Sequence, residues 1–139
     1  MGRNGGKDRA MCKVCLIAEH DLWDIRLLRI YVERLGFRLI QAFDGSDVLQ
    51  LARAEQPDVI ILDGDLPGSL RADAVLQALK SDPDTRDVPL ILLSWMDDEA
   101  ASEAVPDAAG YLRKPATYDD FRAALMEVGA CAGAMPEGR

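Results

Sequence analysis

The sequence predicts an α/β fold, a doubly wound parallel sheet of five strands with helices on both faces, and three observations carry that prediction. Five short apolar runs alternate with five stretches of helical periodicity, the pattern of successive βα units. The run Val59-Ile60-Ile61-Leu62 contains no polar residue, as expected of a strand covered on both faces. Four of the runs stop on residues that carry chemistry: Glu19-His20-Asp21, Asp63, Ser94 and Lys114.

The first strand is Val14-Cys15-Leu16-Ile17-Ala18, and behind it Ile25, Leu28, Val32 and Leu35 recur at helical spacing up to a stop at Gly36. Phe37 to Ala42 reads as the second strand. Asp44-Gly45-Ser46 opens a helix that runs to about Ala54 and closes before Pro57. Asp63 ends the third strand, and Gly64-Asp65-Leu66-Pro67-Gly68 breaks the chain after it. Arg71 to Lys80 is a helix with Val75, Leu76 and Leu79 inward, ended by Ser81-Asp82-Pro83-Asp84. Leu90-Ile91-Leu92-Leu93 is the fourth strand. Asp97 to about Val105 is a short, acidic, weakly amphipathic helix interrupted by Pro106. Tyr111-Leu112-Arg113 is the fifth strand. Thr117-Tyr118-Asp119-Asp120 resembles a capping box, with Asp in place of Glu or Gln, before a helix carrying Phe121, Leu125 and Val128. Residues 1–10 are expected to be disordered, 11–130 to form one domain and 131–139 to fray.

Five βα units in 139 residues fit the flavodoxin-like strand order 2-1-3-4-5. That order makes the first and third strands neighbours, and parallel strands bring their carboxyl ends to one edge. Acids, a hydroxyl and a lysine therefore share one crevice.

Composition excludes several classes. A formal charge of −8 argues against a surface for nucleic acid or anionic lipid, both of which attract clustered Lys and Arg. No apolar stretch has the length of a membrane span, and the first ten residues lack the apolar segment of a secretory signal, so a cytoplasmic protein is expected. Three cysteines, Cys12, Cys15 and Cys131, suit reduced thiols better than a disulfide framework. Cys12 and Cys15 match C-x-x-C, but at the start of a strand, where positions three apart face opposite sides. A phosphate loop for FMN is equally out of place, because Glu19-His20-Asp21 presents negative charge.

On these residues the chain resembles the receiver domains of two-component response regulators, from about Lys13 to Val128. The likeness rests on the acidic cluster after the first strand, Asp63-Gly64-Asp65-Leu66-Pro67 for the D-x-x-M-P pattern, Ser94 as the Ser/Thr switch, and Lys114-Pro115, in order at the proper strand ends. It resembles the stand-alone kind without an output domain. The resemblance implies that Asp63 accepts a phosphoryl group from a histidine kinase or phosphotransfer protein, that Mg²⁺ is required, and that phosphorylation alters binding to a downstream protein. The chain would be a monomer or a phosphorylation-dependent dimer, and no enzyme beyond catalysing its own phosphotransfer and dephosphorylation. Glu19 and Asp63 would offer side chains to the cation and Asp65 its main-chain oxygen. Lys114 would pair with the phosphoryl group, Ser94 donate to it, and Tyr111 act as the aromatic rotamer switch.

The residue types suit that chemistry independently. A carboxylate is a nucleophile towards phosphorus, but acids and phosphoryl oxygens repel, and a hard divalent cation with a lysine compensates. Ordinary readings compete: Ser94 as a helix cap, Lys114 as a solvated charge, Tyr111 as a half-buried sheet residue with a wet hydroxyl, and Glu19-His20-Asp21 as a polar loop.

The sequence also departs from the family pattern. Aligning Gly36 with the end of the first helix puts Glu19 and His20 on the acidic pair, so imidazole stands where a carboxylate normally ligates; a register one residue different gives Asp21 that place. Mg²⁺ should then bind weakly and Mn²⁺, which tolerates nitrogen, can substitute. Trp95 occupies a position that is usually small and should overhang the pocket, Arg71 stands where the third helix often begins with Gly, and the segment from Ser94 to Tyr111 is about two residues short. Two other readings follow: a degenerate receiver that binds its partner without phosphorylation, and a small phosphohydrolase of the haloacid dehalogenase type, with Asp63-Gly64-Asp65 as D-x-D and Asp97-Asp98 as a metal pair. Against the latter, D-x-D belongs after the first strand and little chain is left for a cap.

Overall fold

A computed structural model describes residues 13–66, 68 and 70–130, so Cys12, Pro67, Cys131 and the expected terminal segments lie outside the described residues. Ten elements alternate in order: β1 (Lys13–Ala18), α1 (Leu22–Arg34), β2 (Phe37–Ala42), α2 (Gly45–Glu55), β3 (Val59–Asp63), α3 (Ala72–Lys80), β4 (Leu90–Ser94), α4 (Asp98–Ala104), β5 (Gly110–Arg113) and α5 (Tyr118–Glu127). The strands form one parallel sheet in the order β2-β1-β3-β4-β5. This is the expected flavodoxin-like winding.

Strand alternation divides the core in two. Cys15, Ile17, Val59, Ile61, Ile91 and Leu93 face α1 and α5, packing on Ile25, Leu28, Phe121 and Leu125. Leu16, Ala18, Ile60, Leu62, Leu90 and Leu92 face α2, α3 and α4, packing on Val48, Val75, Leu79 and Ala101. The four apolar residues of β3 are 0–1% exposed. At roughly 1.5–3 kcal/mol for each fully buried side chain, before conformational entropy, β3 is the anchor of the sheet and fixes where its last residue stands.

The helix boundaries have local causes. Asp21, Asp44, Asp97 and Thr117 cap α1, α2, α4 and α5 through side-chain oxygens. The capping box at α5 is complete with Asp as its far member: Asp120 N–H donates to Thr117 Oγ1 at 3.0 Å and Thr117 N–H to Asp120 Oδ2 at 3.2 Å. Arg71 is the N-cap residue of α3 and makes no side-chain cap bond. A Cβ on Gly45 would lie 2.9 Å from Val75 Cγ2, so this glycine permits the close approach of α2 and α3. Helix α4 has seven residues and buries Ala101 alone, in keeping with the short, weakly amphipathic pattern.

Burial pushes the Cys15 thiol far above its ordinary range, with the charge of Asp58 adding to the effect; it is a core residue, not a redox group. Among the described residues no helix is long and apolar enough to cross a membrane.

Candidate functional site

Sheet register assembles the site. Ala18 lies opposite Leu62, so the next residues, Glu19 and Asp63, stand side by side. Asp63 pairs with Leu93 and Ser94 with Arg113, which sets Ser94 and Lys114 one step further along the same edge. Two backbone bonds prolong the ladder there, Gly64 N–H to the Leu93 carbonyl at 2.9 Å and Lys114 N–H to the Ser94 carbonyl at 2.8 Å.

Asp63 is 1% exposed. Its Oδ1 accepts from the Asp65 N–H at 2.9 Å, while Oδ2 faces Lys114 Nζ at 3.2 Å and His20 Nδ1 at 3.6 Å. Lys114 Nζ also lies 3.4 Å from Glu19 Oε1 and 3.5 Å from Asp24 Oδ2. Glu19 Oε2 accepts from the Asp21 N–H at 3.1 Å, whereas Glu19 Oε1 is buried with no hydrogen-bond partner. Lys114 is buried, so its reading as a solvated charge does not hold.

Three carboxylates around one ammonium leave an excess of negative charge. Burial, then the neighbouring Asp63 carboxyl, raises Glu19 from 4.5 to about 7, against the opposing pull of the Asp21 N–H and Lys114. Burial by itself would lower Lys114, but the charges of Asp63, Glu19 and Asp24 outweigh it and hold the ammonium above its ordinary value.

Of the two candidates in the acidic loop, His20 is beside Asp63, and Asp21 Oδ1 accepts from the N–H groups of Trp23 at 2.9 Å and Asp24 at 3.2 Å. Ligand atoms of Glu19, His20 and Asp63 all lie within 4.8 Å of one another. That cluster and the unpartnered Glu19 Oε1 fit a divalent cation. Asp65 is exposed on the loop after β3.

Ser94 is buried and its Oγ accepts from the Met96 N–H at 3.2 Å; the cap of α4 is Asp97, so the capping reading of Ser94 does not hold. Tyr111 is half-buried, and its hydroxyl donates to the Val105 carbonyl instead of to water. Burial, with the charge of Asp107, pushes its phenol up. The Trp95 ring is 59% exposed and lies with its centroid 5.8 Å from Lys114 Nζ, so the indole shields the lysine from one side. A cavity of about 370 Å³ adjoins Asp63 on the α3 and α4 side, with Leu62, Val75, Leu92 and Val105 in its wall.

Asp24 was not among the residues predicted. The available signal was its place in the first turn of α1: helical side chains lean towards the N-terminus, which here points at the strand edge.

Comparison with known proteins agrees with the fold. The model of the response regulator receiver domain matches residues 15–126. The chain is 31% identical over 119 residues to the response regulator GacA of Pseudomonas aeruginosa, covering 85% of this chain and 55% of GacA, so it spans about half the length of that relative. It is 28% identical over 113 residues to the polar-differentiation response regulator DivK of Brucella ovis, covering 80% of this chain and 91% of DivK. Among solved structures it superposes with a TM-score of 0.74 on the receiver domain of a sensor histidine kinase from Pseudomonas aeruginosa, determined with magnesium in its active-site cleft, at 21% identity over 84% of this chain and 98% of that one. A bacteriophytochrome response regulator superposes with a TM-score of 0.73 at 25% identity, over 91% and 90% of the two chains.

Proposed function

This chain belongs to the response regulator receiver domain family, and from that membership we propose that Asp63 is a phosphoacceptor through which the protein signals by changing its binding to a downstream protein. The observation that carries the reading is a buried carboxylate ending the central strand, with one oxygen on the Asp65 N–H and the other on Lys114. The donor is a phosphohistidine of a histidine kinase or phosphotransfer protein. An Asp63 oxygen attacks phosphorus, and the bond from phosphorus to the donor's nitrogen breaks with its electron pair leaving on the imidazole. The site assists its own phosphorylation and later hydrolysis but turns over no separate substrate.

Glu19, Asp63, the main-chain oxygen of Asp65 and His20 would hold a divalent cation, which neutralises charge on the phosphoryl oxygens when bound; Mg²⁺ serves weakly and Mn²⁺ substitutes. Lys114 turns from Asp63 to a phosphoryl oxygen. The Ser94 hydroxyl, now accepting from Met96, turns to donate to the same group and draws Trp95 and Met96 with it. Tyr111 releases the Val105 carbonyl and swings inward, so that the surface around α4 and β5 changes. On this reading the receiver domain is monomeric or dimerises on phosphorylation.

Two observations favour a second reading, a degenerate receiver that binds without phosphorylation: His20 in the acidic pair and Trp95 over Lys114. Beryllofluoride, which mimics an acyl phosphate, separates the two. Fluorine NMR of wild-type protein should show a bound beryllofluoride signal that requires Mg²⁺ or Mn²⁺ and disappears in Asp63→Asn. Absence of that signal with either ion would favour the degenerate module.

A further inference from the structure

Lys114 Nζ has three N–H donors, and three carboxylates surround it: Asp63 Oδ2 at 3.2 Å, Glu19 Oε1 at 3.4 Å and Asp24 Oδ2 at 3.5 Å. Two of these anions stand at the strand edge and belong to the proposed phosphorylation site. The third comes from α1 and lies outside the acidic loop. Asp24 is held in place by the turn that starts the helix, through its own N–H on Asp21 Oδ1 at 3.2 Å.

Resting on the phosphoacceptor reading, we infer that Asp24 is a positioning residue that competes with the phosphoryl group for Lys114. A phosphoryl group on Asp63 adds oxygens that need this ammonium, yet it is already shared by three anions, Asp63 through a hydrogen bond and Glu19 and Asp24 through ionic contacts. One contact must be surrendered, and Asp24 is the longest of the three and involves the most exposed acid, with 36% side-chain exposure against 0% for Glu19 and Asp63. In the resting state Asp24 therefore keeps Lys114 drawn towards α1, and its own charge opposes the approach of an anionic donor. Phosphorylation proceeds against that hold, and the tie between α1 and β5 loosens once Lys114 turns.

Two measurements on wild type, Asp24→Asn and Asp24→Glu test the inference. Intact mass over time with acetyl phosphate and a saturating divalent cation reads the transfer rate. Acylation of Lys114 by an amine-reactive ester, followed by peptide mass spectrometry, reads the hold on the amine without reference to phosphorylation. Asp24→Asn should phosphorylate about threefold faster or more, the scale of one partly exposed ion pair, and acylate faster at Lys114, while Asp24→Glu should return both rates towards wild type. A helix-capping effect alone would shift the melting temperature and leave acylation unchanged. Equal or slower phosphorylation of Asp24→Asn, in a protein whose wild type is labelled at Asp63, would overturn the inference. If wild type takes up no phosphoryl group, the phosphoacceptor reading falls instead, and unchanged acylation would then overturn the hold as well.

Discussion

Replacing Glu19 by Gln should stabilise the metal-free protein at alkaline pH and weaken its grip on cations. Glu19 is 0% exposed, its Oε1 has no hydrogen-bond partner, and burial followed by the neighbouring Asp63 carboxyl raises it from 4.5 to about 7. A raised folded value means that the protonated form is favoured: its contribution is fully present below 4.5 and lost as pH rises through about 7. The rise sets a ceiling of about 3 kcal/mol. Solvent near the mouth and the lost Lys114 contact reduce it, leaving an expected gain of roughly 1–2 kcal/mol for Glu19→Gln at pH near 8. For a domain of this size that is an increase of about 3–8 °C in Tm. Thermal unfolding followed by circular dichroism, at pH near 5 and near 8 without divalent cation and then with Mn²⁺, measures it. The advantage of the variant should grow with pH, and Mn²⁺ should stabilise wild type more than the variant. A Glu19→Gln protein that melts below wild type at the higher pH without metal would refute the reasoning.

Cation affinity in wild type should strengthen as pH rises through about 7, because Glu19 is raised to about 7 and must lose its proton to ligate, a trend visible in Mn²⁺ titrations at several pH values and smaller in Glu19→Gln. His20→Asp should raise Mg²⁺ affinity about tenfold and narrow the preference for Mn²⁺, measured by calorimetry; an unchanged affinity would show that His20 stays outside the coordination sphere. Asp21→Ala removes the α1 cap and should cost about 0.5–2 kcal/mol of stability in urea unfolding while leaving cation affinity unchanged. Trp95→Ala should accelerate phosphorylation by acetyl phosphate with little effect on Tm, because the ring is 59% exposed and lies over Lys114; a slower reaction would mean the indole orders the lysine instead.

The fold was legible because two periodicities dominate it. Val59 to Leu62 could satisfy only a strand covered on both faces, and the helical spacing of Ile25, Leu28 and Val32 fixed which face of α1 turns inward. The site was legible as far as strand ends could be aligned: once the strand order is set, Glu19, Asp63, Ser94 and Lys114 have to converge. The acidic loop could be read in two registers one residue apart; the structure engages Asp21 in capping α1, as an Asp directly ahead of a helix is drawn to its N–H groups, and sets His20 beside Asp63. Asp24 was not legible, because its part depends on how far a side chain of the first turn leans over the edge, which spacing does not encode. Tyr111 needed the position of the Val105 carbonyl, a tertiary contact across the turn between α4 and β5.

The most direct test of the account is intact-mass spectrometry of wild type and Asp63→Asn after incubation with acetyl phosphate and a divalent cation, Mn²⁺ included. Wild type should gain a single phosphoryl group that is lost on treatment with hydroxylamine, as an acyl phosphate must be, and Asp63→Asn should gain none. Equal labelling of both proteins, or none of wild type with either ion, would contradict the assignment of Asp63 as phosphoacceptor.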